Sequence, residues 1–440
     1  MAGTERPLAS YRVPHGGCVR GEIAVPGDKS VSHRAVLLGA IAEGTTEVEN
    51  FLESEDCLAT LNAMRSMGVD VERPGAGRVV VEGVGLDGLR EPAAPLDMGN
   101  AGTAMRLSMG LLAGQRFGAT LVGDASLSRR PMERAAAPLR LMGARIDTSG
   151  GRPPLTVHGG GRLRGIDCTL EVPSAQVKSA LLIAGLYAEG ETVVREPAAT
   201  RDHTERMLRA FGVPVQSEPG RVALRGRARL HATHLQVPGD LSSAAFFIVA
   251  GVIAGEGPFL IRDVGINPTR AGVLEILRLM GADIRVRNAR LAADEPLADL
   301  EVHASELQGI EVPRALVPLA IDEFPVLFVA AACARGTTLV AGAAELRVKE
   351  SDRIAVMAAG LATLGIEALA RPDGLSIVGG QLMGGRVASH GDHRVAMAFA
   401  IAALRARGDL LVEDVANVAT SFPGFAAIAR HAGMAIEEVR

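Results

Sequence analysis

Polar and charged residues recur immediately ahead of long apolar runs. They are Asp28, Lys29 and Ser30; Asn100, Gly102 and Thr103; Ser174 and Gln176; Asp240, Ser242 and Ser243; Asp322 and Glu323; and Asp392, His393 and Arg394. A second series precedes shorter amphipathic runs: Arg129 and Arg130; Arg201, Asp202 and His203; Thr269 and Arg270; Lys349, Glu350, Asp352 and Arg353; Thr420 and Ser421. Ser30, Ser174 and Asp322, each taken alone, are ordinary helix N-cap types. Lysine and arginine are not, because the positive end of the helix dipole disfavours them there. Lys29, Arg130, Arg201, Lys349, Arg353 and Arg394 at such positions therefore require an anionic partner. Free N–H groups at helix starts and two-pronged guanidinium donors suit phosphate and carboxylate. The chemistry expected is the handling of a small polyanion.

The elements that must carry these residues repeat. An apolar helical run closing on glycine and followed by a strand recurs at Gly68, Gly143, Gly212, Gly281, Gly365 and Gly433, a period of roughly seventy residues. Glycine is the expected residue just past a helix, where the left-handed conformation costs it little. A second element recurs in phase, at 29–48, 100–122, 174–194, 241–261, 322–340 and 392–412, and its helices are apolar on nearly every face. Such helices belong inside a layer of sheets. Six units result, each read as helix–strand–helix–strand. A plain solenoid would also repeat, but it would not need cations at one end of its helices. If the helices run parallel, their N-termini form a single surface.

Bulk properties bound the alternatives. A chain of 440 residues, 48% hydrophobic, exceeds what one core usually organises. A net charge of −4 leaves no basic field for nucleic acid. Cys18, Cys57, Cys168 and Cys333 lie far apart with no CxxC pair, so neither disulfides nor a zinc site are expected, and a cytoplasmic location fits. Met1 to Ser10 is polar and lacks the apolar core of a secretory signal. The apolar stretches at 324–334 and 395–404 are too short to span a bilayer. Only 3% of residues are aromatic and none is Trp, so an aliphatic core is expected. His33, His203 and His390 fit no metal motif and read as capping or surface residues, and Cys57 and Cys333 read as small core residues. EEVR (437–440) reads as a solvated end.

PGDKSVSHRAVLLGA (26–40), GNAGTAMR (99–106), RRPM (129–132), PSAQVKSALLIAGL (173–186), VPGDLSSAAF (237–246), RVKESDR (347–353) and GDHRVAMA (391–398) resemble, in order, the signatures of the enolpyruvylshikimate-phosphate synthases. The resemblance implies a two-domain inside-out α/β barrel of six helix–strand repeats, three per domain, with buried parallel helices whose N-termini face an interdomain cleft. One domain would be 27–240 and the other 1–26 plus 241–440, with hinge crossings near 26–29 and 237–241. The family reaction begins when the 5-hydroxyl of 3-phosphoshikimate attacks C2 of phosphoenolpyruvate while a proton goes to C3. Phosphate then leaves the tetrahedral intermediate.

Carried over by motif, Asp322 would take the hydroxyl proton, Lys29 would contact both substrates and join in proton transfer, and Glu350 would donate to the methylene carbon. Lys29, Ser30, Arg34, Ser174, Ala175, Gln176, Arg201, Asp322 and Lys349 would hold 3-phosphoshikimate. Lys29, Gly102, Arg130, Gln176, Arg353 and Arg394 would surround phosphoenolpyruvate, with His393 close by. No cofactor or metal is required, and a monomer is expected.

Some positions depart from the pattern. Thr420 stands where many members have Lys, and Glu345 where those members have Asn. Together with Glu323, SAQVKSA and TRDHTE (200–205), these choices resemble the second bacterial subclass, whose members often tolerate glyphosate. Gly102 leaves room for that inhibitor, whereas Leu107 in place of a common Pro could restore some tolerance, so intermediate sensitivity is expected. The related enolpyruvyl transferase acting on UDP-N-acetylglucosamine usually carries a reactive Cys before its Arg-Pro; here the loop reads GDASLSRRP (123–131), and Ser rather than Asn follows Lys29. A non-catalytic binding protein of the same fold would be expected to have lost the charged residues that remain here. GDKS (27–30) lacks the spacing of a phosphate-binding kinase loop.

Overall fold

Helix boundaries follow local chemistry. Among the described residues the α-helices are α1 (Lys29–Ala40), α2 (Glu55–Ser66), α3 (Gly102–Ala113), α4 (Glu133–Leu141), α5 (Ala175–Gly185), α6 (His203–Ala210), α7 (Leu241–Ala254), α8 (Gly272–Leu279), α9 (Phe324–Ala332), α10 (Arg353–Thr363), α11 (His393–Ala402) and α12 (Phe425–His431). The computed structural model of the chain describes residues 9–439. The polar start read at 1–10 therefore lies mostly outside the described residues, as does Arg440. Side chains of Asp28, Ser54, Ser174, Asp240, Asp352 and Asp392 accept from backbone N–H groups of the first turns of α1, α2, α5, α7, α10 and α11. Each cap satisfies a donor that the helix cannot. The six glycines predicted past the even-numbered helices all have positive φ, from 82° at Gly212 and Gly365 to 105° at Gly433.

The odd-numbered helices are the buried ones. From Leu241 to Ile253 every residue of α7 is buried, and α9 is buried along its whole length. Even-numbered helices such as α6 and α8 are amphipathic and bury one face.

Each repeat holds more strands than helix–strand–helix–strand allows. In the first, the strand after α1 (Glu43–Glu49) pairs antiparallel with Arg78–Val84, which pairs antiparallel with Asp70–Gly75. Short edge strands pair parallel on the other side of the central strand, such as Asp167–Thr169 beside Glu191–Arg195. These two- and three-residue strands are too short to show an alternating pattern in sequence. The result, among the described residues, is six sheets, five of four strands and one of three.

The chain divides into two units, Gly27–Pro238 with Leu291–Glu295, and the described residues up to Pro26 with Gly239–Arg290 and Pro296 onward. Strand Val19–Ala24 runs directly toward α1 yet pairs with Gly255–Gly265 of the second unit, and His234–Gln236, ahead of α7, pairs with Glu43–Glu49 of the first. Ser10–Val13 closes the sixth repeat, between Leu410–Glu413 and Glu437–Val439.

Each unit has its own core. That of the first is almost wholly aliphatic and sulfur-containing, as the composition predicts. In the second, the scarce aromatics gather: Tyr11, Phe246, Phe247, Phe422 and Phe425 stack with centroids 5.5–6.3 Å apart.

Among the described residues, no helix is long and apolar enough to cross a membrane. No group of three or more His, Cys, Asp or Glu side chains among them could hold a metal ion.

Candidate functional site

In the first unit, α1, α3 and α5 start at the same end. Gln176 Nε2 donates to Thr103 Oγ1 at 2.9 Å and accepts from Arg106 Nη1 at 2.6 Å, joining the first turns of α5 and α3. Arg34, one turn into α1, donates to Ser179 of α5 and Thr204 of α6, both at 2.7 Å. The helices are therefore parallel, and Lys29, Ser30, Gly102, Ser174, Ala175 and Gln176 all lie at their starts.

Lys29 Nζ lies 3.0 Å from Asp56 Oδ2, at the start of α2, and stays part-exposed. Arg130 donates from Nη2 to Asn100 Oδ1 at 2.6 Å. A Cβ added to Gly102 would stand 3.3 Å from Arg130 Nη1 and 3.1 Å from Arg106 Nη1, so this glycine lets two guanidinium groups approach the helix start. Ser174 caps α5. Ser30 follows the true cap, Asp28, and gives its carbonyl to Arg34 Nη1 at 2.9 Å. Arg34 is buried; burial pulls it down to about 10, against the raising effect of Glu205, so it remains charged at neutral pH. Arg201 is half-buried in the loop ahead of α6.

Two readings need correction here. His33 and His203 are not surface residues but 1% and 2% exposed. His33 lies in the stretch of α1 that is buried on every side and pairs through Nδ1 with Thr60 Oγ1 at 2.7 Å; burial, with the charges of Lys29 and Arg34, pushes it down to about 3. His203 Nδ1 meets Glu295 Oε1 at 2.7 Å within the same unit.

In the second unit the starts of α7, α9 and α11 come together in the same way. Ser242 Oγ donates to Glu323 Oε1, and Arg394 Nη1 donates to the carbonyl of Asp322 at 3.0 Å. Asp322 does not cap α9, contrary to its residue type. Its Oδ1 faces Lys349 Nζ at 3.5 Å and Arg353 Nη1 at 3.6 Å. Arg353 Nη2 reaches Glu350 Oε2 at 2.6 Å, and Nε reaches Asp392 Oδ2 at 2.8 Å. Burial opposes the charge on Arg353, but Asp392 and Glu350 more than offset it and raise its pKa. Asp322, Lys349, Glu350, Arg353 and Arg394 are thus gathered, and His393 begins α11 beside them.

Thr420 and Ser421 do not start a helix. Thr420 ends a 3₁₀ turn four residues ahead of Gly424, the left-handed N-cap of α12, and its hydroxyl donates to Asn417 O at 2.7 Å.

Sequence reasoning assigned no individual role to Asp56, Arg106, Lys178 or Glu205 and read Asp392 only among the polar residues ahead of an apolar helix; all five bond or neighbour the predicted residues. A signal existed for two of them: Arg106 and Lys178 are charges inside otherwise apolar helical runs, which demands a buried partner.

Fold and site together define an α/β protein of repeated units in which buried helices begin at clusters of cations and carboxylates fitted to anionic substrates. The profile described as EPSP synthase (3-phosphoshikimate 1-carboxyvinyltransferase) matches residues 13–428, and the chain belongs to that family. A 3-phosphoshikimate 1-carboxyvinyltransferase from Alkalilimnicola ehrlichii is 61% identical over 428 residues, covering 97% of this chain and 96% of its own. Its counterpart from Methylococcus capsulatus is 60% identical over 423 residues, covering 96% and 97%. The structure of EPSP synthase from Acinetobacter baumannii superposes with a TM-score of 0.90 at 53% identity, covering 98% of this chain and all of that one (100%).

Proposed function

We propose that this chain transfers the enolpyruvyl group of phosphoenolpyruvate to the 5-hydroxyl of 3-phosphoshikimate. The observation that carries the reading is the placement of Asp322. Its carboxylate lies within 3.6 Å of two cations, at the start of a buried helix, with Glu350 one residue beyond Lys349. A carboxylate set beside anion-binding donors is what deprotonation of a hydroxyl next to a phosphorylated donor needs. Asp322 takes the hydroxyl proton as oxygen bonds to C2, and Glu350 protonates C3 with help from Lys29. The C2–O bond to phosphate then breaks as C3 loses a proton, releasing phosphate and 5-enolpyruvylshikimate-3-phosphate.

Lys29, Ser30, Arg34, Ser174, Ala175, Gln176, Arg201, Asp322 and Lys349 hold the acceptor in this reading, and Lys29, Gly102, Arg130, Gln176, Arg353 and Arg394 the donor. Arg34 acts from a buried position, through Ser30. The two chain crossings, near 26–29 and 237–241, serve as the hinge. The chain works as a monomer in the cytoplasm in this reading, and its four unpaired cysteines fit a reducing compartment.

Phosphate release from phosphoenolpyruvate is followed with 3-phosphoshikimate in one tube and UDP-N-acetylglucosamine in another. Release only with 3-phosphoshikimate is expected. Release only with the nucleotide sugar, or with neither, overturns the reading.

A further inference from the structure

Lys178 lies on α5, two residues past Gln176, and is 1% exposed. A buried ammonium needs all its protons accepted. Here Nζ lies 2.8 Å from Glu196 Oε2, 2.8 Å from Glu205 Oε1 and 3.5 Å from the carbonyl of Thr200. Glu196 and Thr200 belong to the loop between the strand Glu191–Arg195 and α6, and Glu205 to the first turn of α6. Thr200 Oγ1 in turn donates to Glu196 Oε1, closing the loop on itself.

One side chain therefore grips this loop on both sides of Arg201, while Pro197, Ala198 and Ala199 are exposed. Glu205 also raises the pKa of buried Arg34, whose Nε is bonded to Thr204 at 2.7 Å, so two cations and two carboxylates form one set beneath the helix starts. Such a set is weak support for stability, because apolar groups of similar volume often serve as well. What apolar groups cannot do is hold a loop in register by directional bonds.

We propose that Lys178 is a positioning residue that sets Arg201 for 3-phosphoshikimate, by clamping Glu196, Thr200 and Glu205 around it. The proposal rests on the assignment of Arg201 to the acceptor. Lys178 itself touches no substrate; its effect is on where the guanidinium of Arg201 stands, so it governs acceptor affinity and leaves the donor alone.

Lys178→Met alone strands two buried carboxylates, and failure to fold would be no surprise. The decisive protein is therefore the triple variant Lys178→Met, Glu196→Gln, Glu205→Gln, which keeps side-chain volume and removes the charges together. Its KM for 3-phosphoshikimate is expected to rise about tenfold or more, with kcat and the KM for phosphoenolpyruvate within about threefold of the parent. Arg201→Gln added to the triple variant should raise the acceptor KM little further, since both act through one group. An unchanged acceptor KM in the triple variant, or equal rises in both KM values, overturns the proposal. If Arg201→Gln in the parent leaves the acceptor KM unchanged, the assignment of Arg201 fails first and the proposal with it.

Discussion

Arg353 and Asp392 meet in full burial, with side chains 1% and 0% exposed and Nε 2.8 Å from Oδ2. Asp392 also caps α11 through the backbone N–H of Arg394, so one carboxylate ties Arg353 to the start of α11. Burial alone would raise its pKa, but the guanidinium of Arg353 outweighs that and holds the carboxyl below the usual range.

Arg353→Met leaves Asp392 buried without its partner and should cost about 3–5 kcal/mol. Urea denaturation at neutral pH measures it. The parent's contribution from Asp392, whose folded pKa is depressed, is present above the ordinary carboxylate pKa near ~4 and is lost as pH falls below it. A loss under ~1 kcal/mol at neutral pH would show that the pair is not the anchor described.

Lys29→Met removes the ammonium at the start of α1 while keeping the stem. Turnover should drop at least about a thousandfold, several kcal/mol of transition-state stabilisation. Single-turnover phosphate release reads it, and near-normal turnover would remove Lys29 from the mechanism.

Asp322→Asn keeps the shape but not the basicity. kcat is expected to fall by about 10²–10⁴, with binding of 3-phosphoshikimate retained in calorimetry. Loss of binding with kcat intact would instead make Asp322 a binding residue only.

Gly102→Ala brings a methyl to within 3.3 Å of Arg130 Nη1. Overpacking of about 1–3 kcal/mol should raise the glyphosate inhibition constant about tenfold or more and raise the KM for phosphoenolpyruvate less. Unchanged inhibition would refute the crowding argument and leave Leu107, buried in the uninterrupted α3, as the position to vary.

His33 is held neutral, its pKa pushed down to about 3 by burial and then by Lys29 and Arg34. Its folded pKa lies below the unfolded value near ~6.5, so the unfolded chain takes up the proton first and stability falls as pH drops below that value. Against a His33→Asn variant, the parent should lose about 2 kcal/mol of its relative stability between pH 7 and pH 5. A pH-independent difference would mean that His33 titrates in the fold as it does in the unfolded chain, and would overturn its depressed pKa.

Periodicity in the chain determined the repeat, the two kinds of helix and the six glycines that end the amphipathic ones, because these are local choices. A helix start is set by a cap within three residues, and a helix end by a glycine free to turn left-handed. The clustering of Lys29, Arg130, Lys349, Arg353 and Arg394 at helix starts was equally plain, since a cation there is wrong unless something negative meets it.

Only tertiary structure decided which carboxylate meets which cation. Asp392 is 39 residues from Arg353 and could have been read as a cap alone; it is both. Lys178 in an apolar run demanded a partner, but nothing local pointed to Glu196 and Glu205. The edge strands, the pairing of Val19–Ala24 with Gly255–Gly265 and of His234–Gln236 with Glu43–Glu49, and the burial of His33 and His203 were also decided there. Pairing of short strands and of buried charges depends on what distant segments bring alongside, and that free energy appears only once the chain has closed.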